Sequence, residues 1–309
     1  MSIHIESGKV INPHSLEINV TLHCNMRCKS CAHLSPLFRR EYIDATETHA
    51  TLAVLAKNYH ASYVKIIGGE PLLHPNIVEV ISAVRASGVS DAIQVVTNGT
   101  LLARAPDRFW QSVDIVKISL YPSRMLEPTQ IHYFRSVARD NGVTLKVNYF
   151  TSFRTAYSET SATPGQLTHD IFETCKAAHL WHCHTMHGGW LYRCPQSVFI
   201  PSQLRENGWD RKVDGIEIDS GPAFFESLFK FLNGPTPLRA CNNCLGTVGK
   251  LHPHVELPRS EWRPTGRTEE LVDHVFLATC KDDISADDGC VSHSGAFNEI
   301  SDGDGQSRQ

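Results

Sequence analysis

The chain has 309 residues, of which 41% are hydrophobic, and a formal net charge of −4. That length allows one large domain or about two smaller ones, and the apolar fraction excludes wholesale disorder. The near balance of charge gives no electrostatic case for nucleic acid or a membrane surface as the main partner. No apolar run nears the roughly 18 residues of a membrane span, and the N-terminus lacks a signal-peptide-like apolar segment.

The first half alternates strand-like and helix-like segments. Strand-like runs fall at residues 18–22, 63–67, 93–97, 115–120 and 144–150. Helical spacing falls at 48–60, 77–87 and 128–140, with a broken segment at 101–110 around Pro106. Gly88, Asn98-Gly99 and Asn141-Gly142 punctuate the pattern. This alternation predicts an α/β fold with a parallel sheet. About five units are too few for a closed eightfold barrel, which leaves a partial (β/α) barrel or an open sheet.

Beyond residue 150 the pattern changes. Residues 151–168 read as a Ser/Thr-rich linker and 169–178 as a short helix. Residues 186–192 predict a hairpin with a Gly-Gly turn, and 224–232 an amphipathic helix. Acidic residues concentrate from residue 267 onward. That stretch is poor in apolar side chains and predicts a largely disordered tail. The expected organisation is a core at 1–150, a second domain at 151–266 and the tail at 267–309.

Ten cysteines are many for a chain with no export signal. In a reducing cytoplasm they point to metal ligation or redox chemistry rather than disulfides. Cys24, Cys28 and Cys31 follow the first expected strand. Cys175, Cys183 and Cys194 lie midway, Cys241 and Cys244 later, and Cys280 and Cys290 in the tail. Three thiolates on one loop at a strand end suit a [4Fe–4S] cluster with one iron left open. A zinc site completed by His23 or His33 is the alternative.

The triad spacing, C-x3-C-x2-C, resembles that of the radical S-adenosylmethionine (radical SAM) superfamily. Gly68-Gly69-Glu70-Pro71 resembles its GGEP motif, which meets the amino group of SAM. Thr97-Asn98-Gly99 and Ile118-Ser119-Leu120 resemble further SAM-contacting strand ends. The match runs over about residues 18–150. It implies SAM-binding roles for Gly68, Gly69, Glu70, Pro71, Asn98 and Ser119. Ser30 stands where the family usually carries an aromatic residue near the adenine.

Cys175, Gly189, Cys194, Cys241 and Cys244 resemble the auxiliary-cluster extension called SPASM or, in short form, twitch. The short form implies a second [4Fe–4S] cluster on Cys175, Cys194, Cys241 and Cys244. Four thiolates suit zinc or iron–sulfur equally, so a structural zinc site stays open. Cys183 is a ligand in place of Cys175, a buried apolar thiol, or a free thiol facing substrate. The neighbouring His179, His182, His184 and His187 fit no common metal spacing and are expected to be hydrogen-bonding residues, as are His252 and His254.

The resemblance implies reductive cleavage of SAM to a 5′-deoxyadenosyl radical that takes hydrogen from a small polar substrate. Flavodoxin or ferredoxin would be the reducing partner. The cysteine layout is similar to that of 2-deoxy-scyllo-inosamine dehydrogenases. An oxidoreductase of an amino sugar or aminocyclitol in antibiotic biosynthesis is therefore expected. The runner-up is an epimerase of an aminoglycoside sugar or peptide residue, with Cys183 returning the hydrogen. A non-catalytic metal-binding module is the reading from another class. About 17 residues before the first expected strand are too few for a peptide-leader domain.

Overall fold

Strand β2 (Lys9–Thr21) is the longest and most buried strand of the sheet, and the sheet grows outward from both of its edges. A computed structural model describes residues 2–161, 165–204 and 210–290. On one side of β2 lie β3 (Tyr59–Gly68), β4 (Ser90–Thr97), β5 (Ile115–Leu120) and β6 (Thr144–Tyr149), each parallel to its neighbour. On the other lies β8 (His184–His187), also parallel, followed by β9 (Trp190–Tyr192) and β10 (Gly215–Glu217), both antiparallel. Strand β1 (His4–Glu6) pairs with the start of β2. A separate ribbon joins β7 (Ser152–Arg154) to β11 (Leu251–Pro253).

The α/β expectation holds: the sheet is mostly parallel and its strand order stays open, as in a partial barrel. The boundary expected at residue 150 does not divide the sheet. The hairpin β8–β9 pairs directly with β2, so the second half of the chain extends the first.

Crossover helices cover one face. They are α1 (Ala45–Leu55), α2 (Ile77–Ser87), α3 (Asp107–Ser112) and α4 (Pro128–Asp140). Leu16, Ile18 and Val20 of β2 pack with Leu52, Leu55, Val80 and Ile81 in the main core. Because successive side chains of a strand point to opposite faces, Glu17, Asn19 and Thr21 lie on the other face.

Three local readings need correction. Strand β2 begins nine residues before the expected start at Ile18, because Asn12-Pro13 reads as a breaker. The strand passes it by a register shift between Asn12 and Ser15. Buried Asn12 holds that irregularity, donating to Ser15 O at 3.1 Å and Tyr59 Oη at 3.0 Å. Helix α1 starts earlier than expected, where the Asp44 carboxylate accepts from Thr46 N and Glu47 N. Its expected end, Tyr59-His60, instead opens β3.

The third correction concerns the acidic end. Among the described residues, α5 (Gln166–Glu173), α6 (Lys176–His179), α7 (Gln196–Gln203) and α8 (Phe224–Leu232) are followed by two further ordered helices, α9 (Thr268–Leu271) and α10 (His274–Asp282). Leu277 and Cys280 of α10 pack on Ile171, Leu245 and Val248. Few apolar side chains are present, but they share one helix face and meet a ready-made partner. The part of the expected tail at 291–309 lies outside the described residues. No described helix is long and apolar enough to cross a membrane.

Candidate functional site

The loop after β2 carries Cys24, Cys28 and Cys31, and a distant segment braces it. Lys29 N donates to Val255 O at 2.8 Å, and Leu257 N to Arg27 O at 3.0 Å. Arg27 N donates to Glu256 Oε2 at 2.9 Å, and Trp262 Nε1 to Cys28 O at 2.8 Å. His254 Nε2 lies 3.1 Å from Cys28 Sγ, and His252 Nε2 lies 2.8 Å from Ser30 Oγ. Both histidines are therefore hydrogen-bonding residues, but His254 acts on a candidate ligand.

Burial raises the thiols of Cys24, to about 12, and Cys28, and each is raised further by its neighbours in the triad. Burial also opposes ionisation of Cys31, yet hydrogen bonds from His33 and from backbone amides outweigh it and hold that thiol below its ordinary value.

The Gly68-Gly69 pair lets two backbones touch. Gly69 N donates to Thr21 O at 2.9 Å and Glu70 N to His23 O at 3.1 Å. A Cβ on Gly68 would stand 2.0 Å from Thr21 O, and one on Gly69 1.9 Å from His23 O. The close approach that glycine permits is thus to the start of the cysteine loop.

Glu70 departs from its expected role as a ligand-facing carboxylate. It is 0% exposed. Its Oε1 accepts from Thr97 Oγ1 at 2.7 Å and Leu72 N at 3.1 Å, and its Oε2 from Asn98 N at 2.8 Å. Burial pushes this carboxyl up to about 7, against those three donors. Glu70 ties the ends of β3 and β4 together. Pro71 is buried in the turn behind it.

Gly68, Gly69, Asn98 and Ser119 line a cavity of about 280 Å³ together with all three triad cysteines. Asn98 Nδ2 donates to Asn25 Oδ1 at 2.8 Å and toward Cys24 Sγ at 3.8 Å. Residues that the motifs did not single out complete the wall: Lys65, Lys117, Tyr121 and Phe153 among them. The two aromatic rings stack on each other with centroids 5.7 Å apart. The Tyr121 ring stacks on His254 with centroids 5.1 Å apart.

Cys175, Cys194, Cys241 and Cys244 line a second cavity, of about 390 Å³. Burial raises each of these thiols, Cys175 to about 11, and the four act electrostatically on one another. Cys183 lines the same cavity but answers first to Glu17 and Lys65, after burial. It stands at the edge of the quartet. Among the described residues, no three His, Cys, Asp or Glu gather tightly enough for a single metal ion. An all-sulfur donor set in each cavity fits an iron–sulfur cluster, which spaces its cysteines more widely than one ion does.

The two cavities share Ala32, His33, Lys65 and Phe150 in their walls. Of the histidines near Cys183, His184 and His179 make hydrogen-bond contacts, as expected. His184 Nδ1 lies 2.9 Å from Tyr59 Oη, and His179 Nε2 lies 2.8 Å from Phe172 O.

Residues 18–121 match the Radical SAM superfamily. That stretch, and not the rest of the chain, is what resembles a radical SAM domain. A GTP 3′,8-cyclase of Chlorobaculum tepidum is 35% identical over 106 residues, which cover 34% of this chain and 32% of that one. Molybdenum cofactor biosynthesis protein 1 of Mus musculus is 33% identical over 108 residues, covering 34% of this chain and 17% of that one. These matches span a third or less of the relatives' length. Among solved structures, BtrN in complex with AdoMet and 2-DOIA gives a TM-score of 0.40 at 14% identity, over 75% of this chain and 93% of that one. AdoMet-bound anSMEcpe gives 0.35 at 18% identity, over 44% and 43%. The matched residues thus hold the triad and the strand-end motifs, whereas the quartet lies beyond them.

Proposed function

We propose that the chain is a radical SAM enzyme that oxidises a carbinol of a small polar substrate, an amino sugar or aminocyclitol. Cys24, Cys28 and Cys31 would hold one [4Fe–4S] cluster, and Cys175, Cys194, Cys241 and Cys244 a second. SAM would lie in the smaller cavity against Gly68, Gly69, Asn98 and Ser119. The observation that carries this reading is the shared wall of two cysteine-lined cavities. When bound, SAM and the triad cluster supply a 5′-deoxyadenosyl radical for hydrogen abstraction, and the second cluster supplies a one-electron acceptor.

The chain's own residues bind and shield. Asn98 and His254 direct N–H donors at triad sulfurs. Tyr121 and Phe153 offer an apolar face to a heterocyclic base, and burial of the cavity floor keeps water from the radical. A flavodoxin or ferredoxin in the cytoplasm would supply electrons.

Cys183 favours a second reading, epimerisation. Burial keeps its thiol protonated, and it faces the larger cavity rather than sitting within the quartet. A protonated thiol can return a hydrogen atom to the opposite face. The relatives' name, GTP 3′,8-cyclase, offers a third. Its support is confined to a match too short to include both the triad and Cys175. A metal-binding module without catalysis would leave the SAM-type cavity unexplained.

Anaerobic reconstitution with iron and sulfide counting tests the cluster assignment, with about eight irons expected for two cubane clusters. Replacing Cys24, Cys28 and Cys31 together by Ala should abolish 5′-deoxyadenosine formation, and undiminished formation would reject radical SAM chemistry. Mass spectrometry of product made in deuterated water then separates the reactions. Oxidation removes two hydrogens, whereas epimerisation adds one deuterium and fails in Cys183→Ala.

A further inference from the structure

Four buried polar atoms without a protein partner belong to residues of the larger cavity: Glu17 Oε2, His33 Nε2, Arg193 Nε and Gln196 Oε1. A bare buried polar atom costs about 1–3 kcal/mol. Their gathering around one cavity calls for a ligand that pairs them.

Glu17 is the centre of this group. Its side chain is 5% exposed, and its Oε1 is held by Lys65 Nζ at 2.7 Å. The two residues face each other in direct register across β2 and β3. Burial alone would lower the Lys65 ammonium, but the Glu17 carboxylate overrides it and keeps the lysine charged. Lys65 lines both cavities. The ion pair therefore stands where the cavities meet, with one carboxylate oxygen left bare.

We propose that Glu17, fixed by Lys65, is the substrate-recognition centre, and that its Oε2 accepts a hydroxyl or ammonium donor of an amine-bearing polyol. This rests on the radical SAM reading above. The charge balance selects the ligand class. Lys65 is already matched by Glu17. The Arg193 guanidinium donates to the carbonyls of Gly234 and Thr236 and has its charge offset by the Asp214 carboxylate. The four thiolates that would hold the second cluster line the same cavity and would add negative charge. A donor-rich, cationic ligand satisfies such a cavity, and a phosphate does not.

The same oxygen serves the chemistry. Once hydrogen has left the carbinol carbon, its O–H becomes far more acidic. That bond breaks with its electron pair kept by the substrate oxygen, the proton passes to the Glu17 carboxylate, and the one electron that must leave to complete the C=O bond would go to the second cluster named above as acceptor.

The test is equilibrium dialysis of the full-length reconstituted protein with SAM present, using 2-deoxystreptamine, myo-inositol and GTP as probes. Wild type should bind 2-deoxystreptamine about tenfold or more tighter than either other probe, the scale of one charged hydrogen bond. Glu17→Gln should lose that preference. The double variant Glu17→Gln/Lys65→Met, which leaves no lone buried charge, should lose it too, with its thermal midpoint reporting folding. Equal binding of 2-deoxystreptamine in wild type and both variants overturns the proposal. So does tighter binding of GTP, or no aminocyclitol binding by wild type. Separately, absence of 5′-deoxyadenosine from dithionite-reduced wild type would defeat the parent reading whatever the probes do.

Discussion

His254 Nε2 lies 3.1 Å from Cys28 Sγ although 226 residues separate the two. Hydrogen bonds to cluster sulfurs help set reduction potentials, because a donor stabilises the more negative, reduced state. His254→Phe should therefore move the midpoint potential of the triad cluster to a more negative value, and His254→Gln, which keeps an N–H donor, should restore part of the shift. A redox titration followed by electron paramagnetic resonance, in a Cys175→Ala/Cys194→Ala background, reads the triad alone. An unchanged potential in His254→Phe would dismiss the role.

Gly69→Ala should disable the triad site without touching a cysteine. The added Cβ would meet His23 O at 1.9 Å, and both partners are backbone. The cysteine loop must then move away from β3. A stability loss on the order of 2 kcal/mol or more is expected, in line with strain at a special backbone position. Iron content after reconstitution should fall to that of the quartet alone. Full iron content would show that the loop relocates freely.

Removing residues from Thr268 onward should destabilise the protein, contrary to what the acidic composition suggests. The deletion uncovers Ile171, Leu245 and Val248, which α10 now covers. Leu277→Ala, a milder probe of the same contact, should cost about 2–4 kcal/mol. Guanidinium unfolding measures it. Because Leu245 adjoins Cys244, iron bound by the quartet should drop in the deletion variant but persist in Leu277→Ala.

Acid should weaken the fold through His184. Burial pushes its imidazole down to about 3 from an ordinary value of 6.5. The unfolded chain therefore binds a proton that the folded chain refuses, so stability is full above 6.5 and falls as pH drops toward 3. Glu70 acts in the opposite sense. Its raised carboxyl makes stability fall as pH climbs from 4.5 to about 7. His184→Gln should remove only the acid-side loss, so the wild-type minus variant difference in unfolding free energy should shrink steadily below pH 6.5. A pH-independent difference would mean that His184 titrates normally.

The strand ends and their motifs were legible in the sequence because they are local. Glycines, a proline and cysteines at fixed offsets identify a turn chemistry on their own. Helix α4 and strand β5 carried clear caps and periodicity, and their bounds agree with the structure. Glu70 misled, since a motif glutamate gives no sign of whether its oxygens face a ligand or neighbouring amides. Glu17 and Lys65 were overlooked despite a usable signal. Each is a charge between two apolar neighbours in a parallel strand, Glu17 between Leu16 and Ile18 and Lys65 between Val64 and Ile66, and such charges are rarely buried without a partner. His254 was undetectable, since nothing local ties residue 254 to residue 28.

Arg27 N reaches Glu256 across 229 positions of chain. At ~5–20 residues per second, a ribosome takes about 10–45 s to make that stretch. The triad loop thus leaves the ribosome long before its brace exists, and through that interval its thiols face the cell with neither the His254 donor nor the Trp262 anchor. Completion of the braced triad loop is consequently a late event in biosynthesis. A nascent chain that stalls before residue 262 carries the three cysteines but not the clamp that holds them in place.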